Sequence, residues 1–176
     1  FRQQPQVAYW NLFCLGQALH PLIGEEDTTV AAIEAYRPHF SAAFAALMRR
    51  KLGLPPLAQT GAAATTPEEA DPATPVVGQL LQLLAAEKVD YPIFWRRLTD
   101  AAATGQYDAV QDLFVDGAAW QRWLPSYLAL LAASGSAPDT AAMHRANPRF
   151  VLRNHLGETA IRAAQAGDTG VLQQLQ

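Results

Sequence analysis

Residues Thr74 to Gly105 read TPVVGQLLQLLAAEKVDYPIFWRRLTDAAATG. Val77, Leu80, Leu81 and Leu84 recur at three- and four-residue spacing, and so do Phe94, Trp95, Leu98 and Ala102. That period gathers apolar side chains on one face of a helix. Thr74 and Pro75 suit an N-cap and a first helical residue, and Asp90 suits a second cap, because a side-chain oxygen there satisfies free backbone N–H groups. Gly105 suits the left-handed residue that closes a helix. Two successive helices are expected.

The same reading extends in both directions. Upstream, Ala8, Leu12, Leu15, Leu19 and Leu22, widened by Trp10, Phe13 and Cys14, predict a helix from about Val7 to Ile23 that is buried on most sides. Gly24 to Asp27 breaks it, and Asp27 or Thr28 is expected to cap a second helix running to about Leu52. The expected core face of that helix is Val30, Ile33, Tyr36, Phe40, Phe44, Leu47 and Met48. Pro38 lies inside it and predicts a kink or a short break. Arg49, Arg50 and Lys51 complement the negative helix end, and Gly53, Pro55 and Pro56 stop it.

Downstream, a short helix is expected near Asp108 to Phe114. A longer one follows Asp116, carrying Trp120, Trp123, Leu124, Tyr127, Leu128 and Leu131 and bent at Pro125. A short segment follows Asp139. Asn147 and Pro148 are then expected to open a last helix with Val151, Leu152, Leu156 and Ile161, ended by Gly167. No window alternates with a two-residue period, so the class is all-α, an irregular multi-helix bundle.

With 176 residues, one helical domain over 1–176 is expected. Residues 55–75, PPLAQTGAAATTPEEADPATP, have no apolar periodicity and are expected to form a mobile linker inside it. Half of the residues are apolar, 16% are charged, and the net charge is -3. An acidic balance argues against a dedicated nucleic-acid binder. No apolar run is long enough for a membrane span and no secretory leader opens the sequence, so a soluble, cytoplasmic protein is expected. The chain opens at Phe1 and stops at Gln176 within a helical pattern, and it is expected to be a piece of a longer protein.

Motifs for chemistry are sparse. Cys14, the single cysteine, excludes an internal disulfide and is expected to be a small buried hydrophobe. His20, His39, His144 and His155 have no pair at the spacing that places two metal ligands on one helix face. There is no phosphate loop and no nucleophile elbow. Glu25, Glu26 and Asp27, and Glu68, Glu69 and Asp71, read as solvated acids. Phe94, Trp95, Trp120 and Trp123 read as core side chains, with a base-stacking platform as the alternative.

The polar set with most content is Arg145, Arg149 and Arg153 with Asn147 and Asn154. Arginines four apart on a helix share a face and form a fork for phosphate or carboxylate. The alternative, and the preferred reading, is that Arg153 and Asn154 tie helices together. A weak similarity between 102–113 and 163–175 leaves a repeat-type peptide-binding module open, although ordinary helical hairpins explain it as well.

Several stretches in order resemble one family. They are QPQVAYWNL (4–12), LGQALHPLI (15–23), MRRKLGL (48–54), VDYPIFWRRLTDA (89–101), LFVDGAAWQRWLPSYLALL (113–131), NPRFVLRNHL (147–156) and AIRAAQAGD (160–168). Together they are similar to the C-terminal helical part of selenoprotein O, the SelO family of protein adenylyltransferases. The resemblance implies a protein-kinase-like (pseudokinase) fold in the parent protein. The parent would bind ATP in an inverted orientation and, with magnesium, transfer AMP to Ser, Thr or Tyr hydroxyls of target proteins.

The family's ATP- and metal-binding residues lie upstream of the QPQ motif, and no position here matches them. The resemblance thus implies no catalytic, cofactor-binding or metal residue in this chain. It implies a structural or regulatory part whose partners are the parent's N-terminal kinase-like lobe and protein substrates. A C-terminal tail with a redox cysteine or selenocysteine is also a family feature without a match. The alternative, from a different class, is a stand-alone helical protein-interaction module.

Overall fold

The computed structural model of the chain describes residues 3–57, 71–149, 151 and 153–175, and among these the regular structure is all-helical. Residues 58–70 of the expected linker, and Leu152, lie outside the described residues.

The first helix, α1 (Gln4–Ile23), begins three residues earlier than expected, with Pro5 in its first turn, and Gly24 closes it at φ 76°. Instead of one long helix there follow α2 (Glu26–Glu34) and α3 (Tyr36–Lys51). Pro38 explains the break. It has no N–H for the Glu34 carbonyl four residues back, and its ring crowds that carbonyl. Neither Asp27 nor Thr28 caps α2. Glu25 is the N-cap, without a side-chain cap bond, and its carboxylate accepts from Thr28 Oγ1 at 2.9 Å.

The helices that follow are α4 (Ala73–Ala86), α5 (Tyr91–Thr104), α6 (Asp108–Gln111), α7 (Gly117–Ala133), α8 (Thr140–Ala146), α9 (Asn154–Gln165) and α10 (Gly170–Leu175). Asp90, Asp116 and Asp139 each accept a backbone N–H in the first turn of α5, α7 and α8. Thr74 does not cap α4, which starts one residue before it. The Asp71 carboxylate takes that role, accepting from Ala73 N at 2.9 Å.

One core joins the end of α3 to α8. Met48, Leu52 and Leu54 meet Val76, Val77, Leu80 and Leu84 of α4, Phe94, Trp95 and Leu98 of α5, and Met143 of α8. An aromatic stack runs through it. Phe114 lies against Trp120 at 5.3 Å between centroids, Trp120 against Trp123 at 5.2 Å, and Trp123 against Tyr127 at 5.4 Å. Two of its polar tips are bonded to the backbone, Trp123 Nε1 donating to Val76 O at 2.9 Å and Tyr127 Oη to Leu52 O at 3.0 Å. Gly53, at φ 74°, fits beneath α8, where a Cβ would come within 2.7 Å of Met143 Sδ.

Tyr127 carries a testable consequence. Burial first, and the neighbouring Tyr107 second, raise its pKa well above the ordinary 10.0. Its stabilising effect is complete below pH 10 and is lost as pH rises further, because the unfolded chain gives up the proton first. The slope approaches about 1.4 kcal/mol per pH unit. Urea titrations should therefore show wild type losing stability faster than Tyr127→Phe above pH 10. Parallel curves would mean that the phenol reaches solvent.

The two ends of the chain are barer. Gly16 is the only buried residue of α1, where a Cβ would come within 2.6 Å of Ile33 Cδ1 on α2. The expectation of an α1 buried on most sides is overturned. Trp10 is 60% and Leu22 84% exposed, and Cys14 is exposed as well. Val30, Phe40 and Phe44, expected in the core, are also exposed. The helical period is right, but among the described residues no element covers that face. At the other end α9 packs with α10 and buries only Ala160.

Candidate functional site

Asn147 and Pro148 do not open a helix. Asn147 is the C-cap of α8, Arg153 is the N-cap of α9, and the described residues between them, Pro148, Arg149 and Val151, form a non-helical connection. Asn147 cannot cap a following helix because its side chain is committed elsewhere. Fully buried, it accepts from Lys51 Nζ at 2.9 Å and donates to Thr99 Oγ1 at 3.1 Å. Lys51 also donates to Ala146 O at 2.9 Å and lies 5.2 Å from the Trp95 ring centroid. Desolvation lowers its pKa. This cluster holds α3, α5 and α8 together, a structural task.

The stripe of Arg145, Arg149 and Arg153, the less favoured of the two readings, therefore does not form. Arg145 lies in the last turn of α8. Arg149 and Arg153 come from the connection and face α5. Arg153 Nη2 pairs with Asp90 Oδ2 at 2.8 Å, which makes Arg153 a tie between helices, whereas Asn154 is exposed and ties nothing in this way.

Between α5 and this connection lies an open groove of about 520 Å³, lined by Arg96, Arg97, Arg149 and Arg153, with Asp100 and an apolar wall that includes Ile93 and Val151. Arg96 Nη1 donates to Asn147 O at 3.2 Å and Arg97 Nη1 to Ala109 O at 2.7 Å. Sequence reasoning missed Arg96 and Arg97. The signal was the adjacent pair in FWRRL, two cations following the aromatic residues of a buried helix face.

A second candidate surface is the bare face of α1 to α3. Tyr9 stacks toward Tyr36 at 6.2 Å, Tyr36 toward Phe40 at 5.6 Å, and Phe40 toward Phe44 at 6.0 Å, forming a continuous aromatic stripe. Trp10 and Phe13 stack on each other at 5.7 Å. Contiguous exposed apolar surface of this kind marks an interaction site.

The remaining candidates separate clearly. Phe94, Trp95, Trp120 and Trp123 are all buried, which removes the base-stacking alternative. The four histidines are exposed, as are Glu25, Glu26 and Asp27. Asp71 is no solvated acid: it is 4% exposed and pairs with Arg49 at 2.6 Å. Glu68 and Glu69 lie outside the described residues. Among the described residues no group of three or more His, Cys, Asp or Glu is placed to hold a metal. None of their helices is long and apolar enough to cross a membrane.

The described helices thus combine a consolidated core, a bare aromatic face and a cationic groove. The family profile described as "Protein adenylyltransferase SelO" matches residues 1–176, and the chain belongs to the SelO family.

Among its relatives are proteins named protein nucleotidyltransferase YdiU. That of Variovorax paradoxus is 48% identical over 168 residues, covering 96% of this chain and 32% of the relative. That of Albidiferax ferrireducens is 47% identical with the same coverage, and that of Azotobacter vinelandii is 36% identical over 99% of this chain and 34% of its own length. The chain spans about a third of the length of the curated relatives it matches.

Proposed function

We propose that this chain is the helical part of a longer protein adenylyltransferase. It would support an N-terminal kinase-like lobe in which ATP and magnesium bind and from which AMP is transferred to Ser, Thr or Tyr hydroxyls of target proteins. The chain itself supplies no catalytic residue in this reading, and the protein works in the cytoplasm. The observation that carries the proposal is the bare apolar face of α1 to α3 in a chain whose relatives are about three times as long. Leaving Trp10, Phe13, Phe40 and Phe44 in water wastes burial of roughly 25 cal/mol per Å² of apolar surface, which a docked lobe recovers.

The test compares the full-length gene product with the 176-residue chain, both given labelled ATP, magnesium and a protein acceptor. AMP transfer by the full-length protein alone supports the proposal. Transfer by the isolated chain, or ATP binding to it as tight as to the full-length protein, overturns the division of labour.

The docking face adds a prediction. Trp10→Glu with Phe13→Glu should leave the isolated chain's stability nearly unchanged. In the full-length protein the pair should cost roughly 2 kcal/mol or more, because charges would then be buried without partners. Equal small effects in both proteins would show that the face stays open.

A further inference from the structure

The groove between α5 and the connection to α9 concentrates positive charge in a chain whose net charge is -3. Four of its lining residues are arginines and one, Asp100, is acidic. Asp90 answers Arg153, at 2.8 Å. Arg96 and Arg97 are treated differently. They donate to the backbone carbonyls of Asn147 and Ala109, which orient each guanidinium without neutralising it, and no described carboxylate lies within ion-pair distance of either. Each retains N–H groups beyond the one bonded to its carbonyl.

The groove is built on rigid parts. Its floor helix carries the fully buried Phe94, Trp95 and Leu98 on the opposite face. Asn147, whose carbonyl holds Arg96, is itself fully buried and fixed by Lys51 and Thr99. Guanidinium groups oriented in advance lose little freedom on binding a planar or tetrahedral oxyanion, and their forked donors match its oxygens two at a time. Beside them Ile93, Val151 and Leu156 remain 45%, 43% and 38% exposed. That wall offers an apolar surface for whatever carries the anion.

From this arrangement we propose that the groove is a phosphate-binding site in which Arg96, Arg97 and Arg149 grip a phosphoryl group and the Ile93 and Val151 wall supports its carrier. The phosphoryl group has two possible sources, a free nucleotide or a phosphorylated protein side chain. The proposal stands on the groove alone and does not depend on where AMP transfer takes place.

The test is protection of individual arginines in the full-length gene product. Phenylglyoxal modification is followed by peptide mass spectrometry with and without inorganic pyrophosphate, with the exposed Arg122 as an internal control. Reading each arginine separately keeps a nucleotide site elsewhere in the protein from mimicking the result. Pyrophosphate at about ten times its Kd should slow modification of Arg97 and Arg149 by about tenfold relative to Arg122, because only the unoccupied fraction reacts. ADP protecting at lower concentration than a phosphoserine peptide assigns the site to a free nucleotide, and the reverse order to a phosphorylated protein segment.

Arg97→Lys keeps the charge but removes the fork, and it should weaken protection of Arg149 while leaving the thermal transition in place. Modification of Arg97 and Arg149 at rates unchanged by all three probes would overturn the proposal. So would protection that the Arg97→Lys and Arg97→Gln variants, both folded, retain in full.

Discussion

Replacing Asp71 by alanine is expected to destabilise the chain by about 3–5 kcal/mol, the range for removing one partner of a buried ion pair. Asp71 Oδ1 accepts both from Arg49 Nη1 at 2.6 Å and from Ala73 N at 2.9 Å, and both side chains are almost fully buried. Without the carboxylate the Arg49 cation is left inside the protein with Pro55 O, at 2.8 Å, as its remaining partner among the described residues, and α4 loses the acceptor at its first turn. A loss of this size is a large fraction of the about 5–15 kcal/mol that holds an ordinary domain together.

Urea denaturation of wild type, Asp71→Ala, Arg49→Met and the double variant measures it. The double variant should recover part of the loss, because it removes the stranded charge along with its partner. A loss below about 1 kcal/mol, the level of an exposed pair, would show that water reaches the bridge.

Trp120→Ala is expected to cost about 3–5 kcal/mol, the range for truncating a large aromatic in a packed core. Trp120 is fully buried, stacked on Phe114, and meets Phe94 edge-on at 6.1 Å. The surrounding rings come from three separate segments, so the space left cannot close by a shift of one helix. Trp10→Ala is the control, since Trp10 is as large but 60% exposed. In the isolated chain it should stay within about 0.5 kcal/mol of wild type. Equal effects of the two substitutions on denaturant midpoints would contradict the burial pattern.

Much of the helical outline is legible in the amino-acid sequence. Asp90, Asp116 and Asp139 cap the helices they precede, and Gly24, Gly105 and Gly167 take the left-handed conformation near helix ends. These are local effects, in which a short side chain bonds an N–H two or three residues on, or a missing Cβ admits positive φ. The family is legible for a similar reason, because its motifs are short, ordered runs of residues. Asn147 shows where local reasoning fails. An Asn before Pro is a sound cap, yet this one is drawn to Lys51, 96 residues away in sequence. Its amide inside the core is worth more than a cap, since Lys51 and Thr99 would otherwise be buried without it.

The candidate site divides in the same way. Arg149 and Arg153 stand out as cations in an ordered motif, whereas their meeting with Arg96 and Arg97 does not, because the pairs lie about fifty residues apart and share no element. The acidic, linker-like neighbourhood of Asp71 suggests a solvated carboxylate, and it is Arg49, reaching it from α3, that makes it interior.

The all-α class, most helix ends and the SelO kinship thus follow from the order of residues, since they depend on periods, caps and motifs spanning a few positions. Which apolar stripe is covered depends instead on tertiary packing. The stripes of α1 and α5 look alike in sequence, but α5 packs on α6 and α8 and buries Trp95, while α1 packs on α2 and α3 and leaves Trp10 in water. Periodicity says which side chains share a face; the hydrophobic effect acts only where a partner surface arrives to exclude water from it.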